Sequence, residues 1–135
     1  MPLNVQTLSA KWDDYALLDS GGRLKLERFG DCVVVRSEPK AWRSPAGKSL
    51  WASADARYFD DDKKSARWEF FKKVSPPKLS FGKVEFLTKF MDGSKHLGVF
   101  PEQEPHWEFI MSMAGVFGAK LAKAGLPPRR PSLLN

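Results

Sequence analysis

Residues 15 to 30 read YALLDSGGRLKLERFG, and the alternation on either side of the Gly21-Gly22 pair decides the fold class. Ser20-Gly21-Gly22 is turn chemistry, because glycine reaches backbone angles that a Cβ forbids. After it, Leu24 and Leu26 alternate with Lys25 and Glu27, the period of a strand with one covered face and one wet face. The stretch is therefore expected to form two short strands, with Lys25 and Glu27 pointing outward. Gly30-Asp31 repeats the turn signal, and CVVVR, starting at Cys32, follows as a third strand. Short strands joined by tight turns predict a small, mainly antiparallel sheet folded around an apolar face.

Working outward, residues 1 to 14 have no clear period and read as a lead-in. Pro39 and Pro45 bracket a connector that contains Trp42, and Ser49 to about Arg57 fits a short helix or an irregular loop. The run Asp60-Asp61-Asp62-Lys63-Lys64 reads as solvated; three adjacent carboxylates do not converge on one cation, and the alternating spacing of a calcium loop is absent. ARWEFFKKV returns to strand character until Pro76-Pro77, and KLSFGKVEFLTKF resumes it, with Val84 and Phe86 opposite Glu85 and Leu87. From about Glu104 to Ala124 the period changes to that of a helix. Trp107, Ile110, Met111, Ala114, Phe117, Gly118 and Leu121 share one face, and Phe109, Met113 and Val116 widen the apolar arc beyond it. So broad an arc calls for cover on two sides. After Gly125-Leu126 a stiff basic linker leads to an apolar strand expected at Ser132-Leu133-Leu134, which suggests the leading module of a longer protein.

The chain has 135 residues, enough for one domain with a modest core, and a formal charge of +6. From Lys63 to Lys95 nine basic residues face three acids, so this segment carries the whole excess. Among its cations are Lys63, Lys64, Arg67, Lys72, Lys73, Lys83 and Lys95, interleaved with Trp68, Phe70, Phe81, Phe86 and Phe90. Clustered cations raise the expectation of a polyanion partner, and exposed rings among them suit base stacking. Trp68 and Phe71 are the rings expected to be exposed. The bland alternative is a strand whose aromatics face the core while lysines keep the other face in water. Cys32 is the only cysteine, so no disulfide forms within the chain, and its apolar surroundings suggest a buried small hydrophobe. No apolar leader and no membrane-length run is present, and a cytoplasmic setting is expected.

No nucleophile, base and acid set is evident, so no catalytic residue is assigned. His96 and His106 lack the spacing of a metal site, and no glycine-rich phosphate loop follows a strand. The chemically richest stretch is KHLGVFPEQEPHWEFI, residues 95 to 110. There Gly98 permits close approach, Phe100 can supply an apolar wall, Gln103 offers an amide donor and acceptor, and the first helical turn has unpaired N–H groups. Such a segment could hold a polar small molecule, or Phe100-Pro101 could simply staple the helix start.

KHLGVFPEQEPHWEFI, YALLDSGGRLKLERFG and the terminal PSLLN together resemble the front portion of a bacterial class I S-adenosylmethionine-dependent methyltransferase family, related to the ribosomal RNA cytosine-5 and guanine methyltransferases. The resemblance extends over nearly all of the chain. It implies an α+β fold: a small β-rich domain over residues 1 to 94 that assists substrate binding, then over 95 to 135 a connecting motif, the helix and the first strand of a truncated Rossmann-like methyltransferase domain. It also implies S-adenosylmethionine as cofactor, with Phe100 and Gln103 close to it or to the target base, and ribosomal RNA docked on Lys63, Lys64, Arg67, Trp68, Lys72, Lys73, Lys83 and Lys95. The expected partners are that RNA and the C-terminal methyltransferase domain of the same protein, with most of the cofactor site beyond Asn135. Relatives carry an asparagine-tryptophan pair where this chain has His106-Trp107. Outside the resemblance, the residues also fit a stand-alone RNA-binding module or a protein-docking domain.

Overall fold

A computed structural model of the chain describes residues 12 to 60 and 66 to 129. It divides into two compact units, one spanning Trp12–Phe100 and the other containing the chain from Pro101 onward. The first is built on a five-stranded sheet: β1 (Tyr15–Gly21), β2 (Leu24–Phe29), β3 (Cys32–Ser37), β4 (Ala56–Phe59) and β5 (Arg67–Phe70), in that spatial order. A separate antiparallel pair, β6 (Lys78–Phe81) and β7 (Val84–Leu87), follows. All pairings are antiparallel except β3 with β4, which run parallel across a connection that holds the short helix α1 (Lys48–Trp51).

The decisive stretch folds as its turn chemistry requires. Gly22 and Arg23 both have positive φ, 58° and 64°, the twisted two-residue turn that matches the twist of paired strands. Gly21, one residue earlier, lies so close to the connector that a Cβ there would clash with the Pro45 nitrogen and stand 2.8 Å from the Arg43 carbonyl oxygen. Backbone bonds from Gly22 N to Arg43 O (2.8 Å) and from Arg23 N to Ala41 O (2.7 Å) hold that connector against the hairpin. A bulge between Leu17 and Asp19 re-aims the strand. Asp19 then accepts hydrogen bonds from Trp51 Nε1 (2.7 Å), Ser20 N (2.8 Å) and Ala46 N (2.9 Å).

Register assigns the side chains to faces. On one face Leu26, Val35 and Ala54 form a buried cluster, with Leu18, Leu24, Val33 and Trp51 packed on it. On the other, Phe29, Val34, Ala56, Tyr58 and Trp68 are buried, as are Leu97 and Val99 from the later loop. The middle of the sheet is thus covered on both sides, which overturns one expectation. Glu27 does not point to water: it is fully buried, because the second face is also a core face. Trp68 was likewise expected to be exposed, yet it is 7% exposed, whereas Phe71 is 52% exposed as expected. KLSFGKVEFL is a hairpin turning at Gly82 (φ 59°), with Leu79 opposite Phe86; Phe86 is partly buried and Leu87 exposed, as the alternation requires, but Val84 is exposed as well.

In the second unit a 3-10 turn (Pro101–Gln103) runs into α2 (Glu104–Lys123), close to the span that periodicity predicts. Glu104 stands in its first turn and Lys120 and Lys123 in its last, both favourable to the helix dipole. Gly125, with φ 64°, follows the end. Among the helix residues only Glu104 is buried; Phe109, Ile110, Met111, Met113, Val116 and Phe117 are all exposed. The acid and lysine run at 61 to 64 and the strand expected at Ser132 lie outside the described residues. Among the described residues no helix is long and apolar enough to cross a membrane.

Candidate functional site

The segment from Ser94 to Phe100 is irregular, yet the sheet below it fixes its course. Glu27 and Arg36, neighbours on the inner face of β2 and β3, form a buried two-pronged pair, with Arg36 Nε to Glu27 Oε2 at 2.7 Å and Arg36 Nη2 to Glu27 Oε1 at 2.8 Å. Tyr15 Oη donates to the same carboxylate at 2.9 Å, and Lys25 Nζ lies 3.3 Å from it. Burial alone would raise the Glu27 carboxyl, but the hydrogen bonds and charge of Arg36, helped by Lys25 and Tyr15, outweigh it and hold the group below its ordinary value. The remaining nitrogen of Arg36 donates to the Lys95 carbonyl at 3.1 Å. A buried ion pair therefore positions the loop.

Two further bonds hold the same loop. Trp68 Nε1 donates to Ser94 O at 3.0 Å, and Lys95 Nζ donates to Ser37 O at 3.0 Å and to Ser37 Oγ at 3.3 Å, while Ser37 Oγ donates to Asp60 at 2.6 Å. Below them Leu97 and Val99 are buried, and Gly98 (φ 90°) allows the chain to turn between them. The side chains that alternate with these anchors, His96 and Phe100, meet in a tilted pair at 5.1 Å between ring centroids, with Phe100 44% exposed.

Beside this segment is an open cavity of about 410 Å³ lined by Tyr58, Asp60, Ala66, Gly93, Ser94, Lys95 and His96. Burial, reinforced by Asp60 and Asp92, pushes the Tyr58 phenol above its ordinary 10.0, so it stays protonated at neutral pH. The cavity can thus offer a phenolic donor and a carboxylate acceptor to a polar group. Tyr58 does not stand out in the sequence, and Asp60 reads there only as part of a solvated acidic run; periodicity does not separate β4, which ends at Phe59, from the segment before it.

The basic residues chosen from sequence do not share one environment. Lys95 is tied to Ser37, and Lys72 pairs with Asp55 at 2.7 Å and also reaches Ser53 O at 3.3 Å. Arg67 opens β5, Lys73 follows that strand and Lys83 sits in the β6–β7 turn; all three are exposed. Lys63 and Lys64 lie outside the described residues. Trp68 is enclosed between Tyr58 (5.4 Å) and Phe90 (4.9 Å), so its ring is a core element and is not presented to a base. Gln103, in the helical unit, is exposed, and its Oε1 lies 2.9 Å from His106 Nδ1.

Neither known protein families nor curated proteins give a match to this chain. Among solved structures it is similar to the SAM-dependent methyltransferase from Agrobacterium tumefaciens, at 40% sequence identity and a TM-score of 0.71. That similarity takes in 78% of this chain and 34% of the other, so the chain spans about a third of the length of the protein it matches.

Proposed function

We propose that this chain serves as the substrate-side portion of an S-adenosylmethionine-dependent methyltransferase acting on RNA, with ribosomal RNA as the preferred acceptor. The observation that carries the reading is the 40% identity to a SAM-dependent methyltransferase over 78% of the chain, together with the mixed α+β fold of the matched part. The RNA acceptor is supported by the concentration of the +6 charge between Lys63 and Lys95.

Within this reading Phe100 supplies an exposed apolar surface and Gln103 an exposed amide toward the cofactor or the target base. Each lies in its own unit, and the remaining contacts, including an acid for the cofactor ribose, belong to a methyltransferase domain outside these residues. Bound cofactor supplies the methyl group; the chain's own contribution is to dock the acceptor and align it, which lowers the entropic part of the barrier. Arg67, Lys73 and Lys83 are exposed and suited to phosphate contact, while Lys72 and Lys95 serve partly as internal ties.

The test is transfer of labelled methyl groups from S-adenosylmethionine to ribosomal RNA by the protein as its gene encodes it. Transfer is expected, and Gln103→Ala should weaken cofactor binding about tenfold, the worth of one good hydrogen bond in a closed site. Failure to bind the cofactor would overturn the methyltransferase reading. Cofactor binding without transfer to any RNA would overturn the acceptor, and a Gln103→Ala variant with unaltered binding and rate would remove Gln103 from the site.

A further inference from the structure

The sheet face that carries the apolar cluster changes character as it crosses to β4. Register continues the row Leu26, Val35, Arg57, Glu69, and beside it Phe59 lies opposite Arg67. Where β2 and β3 bury leucine and valine, β4 and β5 place two arginines, a phenylalanine and a glutamate on the same face. Arg57 and Phe59 are partly exposed and Arg67 and Glu69 exposed, so this part of the face is open to solvent.

The two guanidinium groups gather on the ring. The Arg57 guanidinium carbon is 4.5 Å from the Phe59 centroid and that of Arg67 5.9 Å. Arg57 also makes no hydrogen bond or ion pair among the described residues. Its register partner Glu69 does not pair with it, and its Nε is buried without an acceptor. A guanidinium directs five N–H groups in a fixed fork; the outer Nη nitrogens of Arg57 also lack an acceptor among the described residues, but they are not buried and can meet a phosphate. Lys72 and Lys95, by contrast, already donate to acceptors within the fold.

We infer that Arg57, braced on Phe59 beside Arg67, forms a contact for single-stranded RNA on the open face of β4 and β5, its guanidinium engaging a backbone phosphate. The chemistry favours nucleic acid over an acidic protein surface. A guanidinium braced over an aromatic ring can meet phosphate in two-pronged fashion and offer a plane on which a base can stack. The inference rests on the RNA reading above and gives it a location: a patch of which the sequence pattern points to Arg67 but not to Arg57.

The experiment measures binding of a fluorescein-labelled 20-nucleotide single-stranded RNA to the chain by anisotropy at two salt concentrations, with polyglutamate as competitor. Arg57→Ala is expected to weaken binding about tenfold and to lower the salt slope by about one, the signature of one lost phosphate contact. Arg57→Lys keeps the charge but loses the fork, so it should keep the slope while binding about threefold more weakly. If Arg57→Ala does not melt cooperatively, Arg57→Gln and Arg57→Lys carry the comparison. Unchanged affinity and slope in the folded variants, with RNA bound by the parent, would overturn the patch but leave the RNA reading standing. No RNA binding by the parent at low salt would overturn both, and displacement of RNA by an equal charge of polyglutamate would overturn the nucleic-acid assignment.

Discussion

Replacing Glu27 by glutamine tests the claim that a buried ion pair positions the Ser94–Phe100 loop. The substitution keeps the volume but removes the charge opposite Arg36, which is 3% exposed and would be left as an uncompensated cation. Breaking one side of such a pair costs about 3–5 kcal/mol. The glutamine oxygen can still accept one bond, so the lower end, about 3 kcal/mol, is expected, a large share of a typical total of about 5–15 kcal/mol. Urea unfolding followed by tryptophan fluorescence measures it. The pair Glu27→Leu with Arg36→Met should lose less than Glu27→Gln, because no charge is stranded, but it should still lose about 1 kcal/mol for the Lys95 carbonyl deprived of its donor. The pH dependence carries its own sign. Since the Glu27 carboxyl is held below its ordinary 4.5, its contribution is complete above that value and disappears as pH falls through the lower folded value. The glutamine variant should lack that part of the acid loss. A destabilisation under about 1 kcal/mol, or an acid profile identical to the parent's, would refute the reasoning.

Two further outcomes follow from local geometry. Gly21→Ala places a Cβ against the Arg43–Pro45 backbone, which cannot rotate aside, so a loss of about 2–3 kcal/mol is expected in the same urea assay, and parent-like stability would show that the connector gives way. Burial, with Asp55 adding to it and Lys72 opposing, pushes the Cys32 thiol up to about 11; a thiol reagent at pH 8 should therefore label the native protein far more slowly than the urea-unfolded chain, and equal rates would contradict its burial.

Local signals proved legible where one residue type admits few conformations. The turn signalled by Gly22, which falls at Gly22-Arg23 with Ser20 and Gly21 still in β1, the Gly30-Asp31 turn, the strand from Cys32 and the limits of α2 follow from glycine geometry and from a clean change of period. What failed was the assumption that each strand has one wet face. Glu27 alternates like a surface residue, but the loop bearing Leu97 and Val99 covers that side, and the bond from Arg36 that holds the loop joins residues 59 positions apart. Trp68 sat among lysines and invited the same mistake; its indole bond to Ser94, 26 residues away, is nonlocal too. Of the candidate site, the Lys95–Phe100 segment was visible through its residue types, whereas Tyr58, Asp60 and Arg57 emerged only once strand register placed them.

The single parallel pairing, β3 with β4, has a kinetic consequence. β1, β2 and β3 can zip from adjacent turns, but β4 must wait until the connector from Glu38 to Asp55 has closed a long loop. The meander is thus the natural nucleus, and the β4–β5 ribbon joins after the barrier. Lesions near Gly22 would then delay acquisition of the native state, whereas lesions around Tyr58 would chiefly shorten its lifetime.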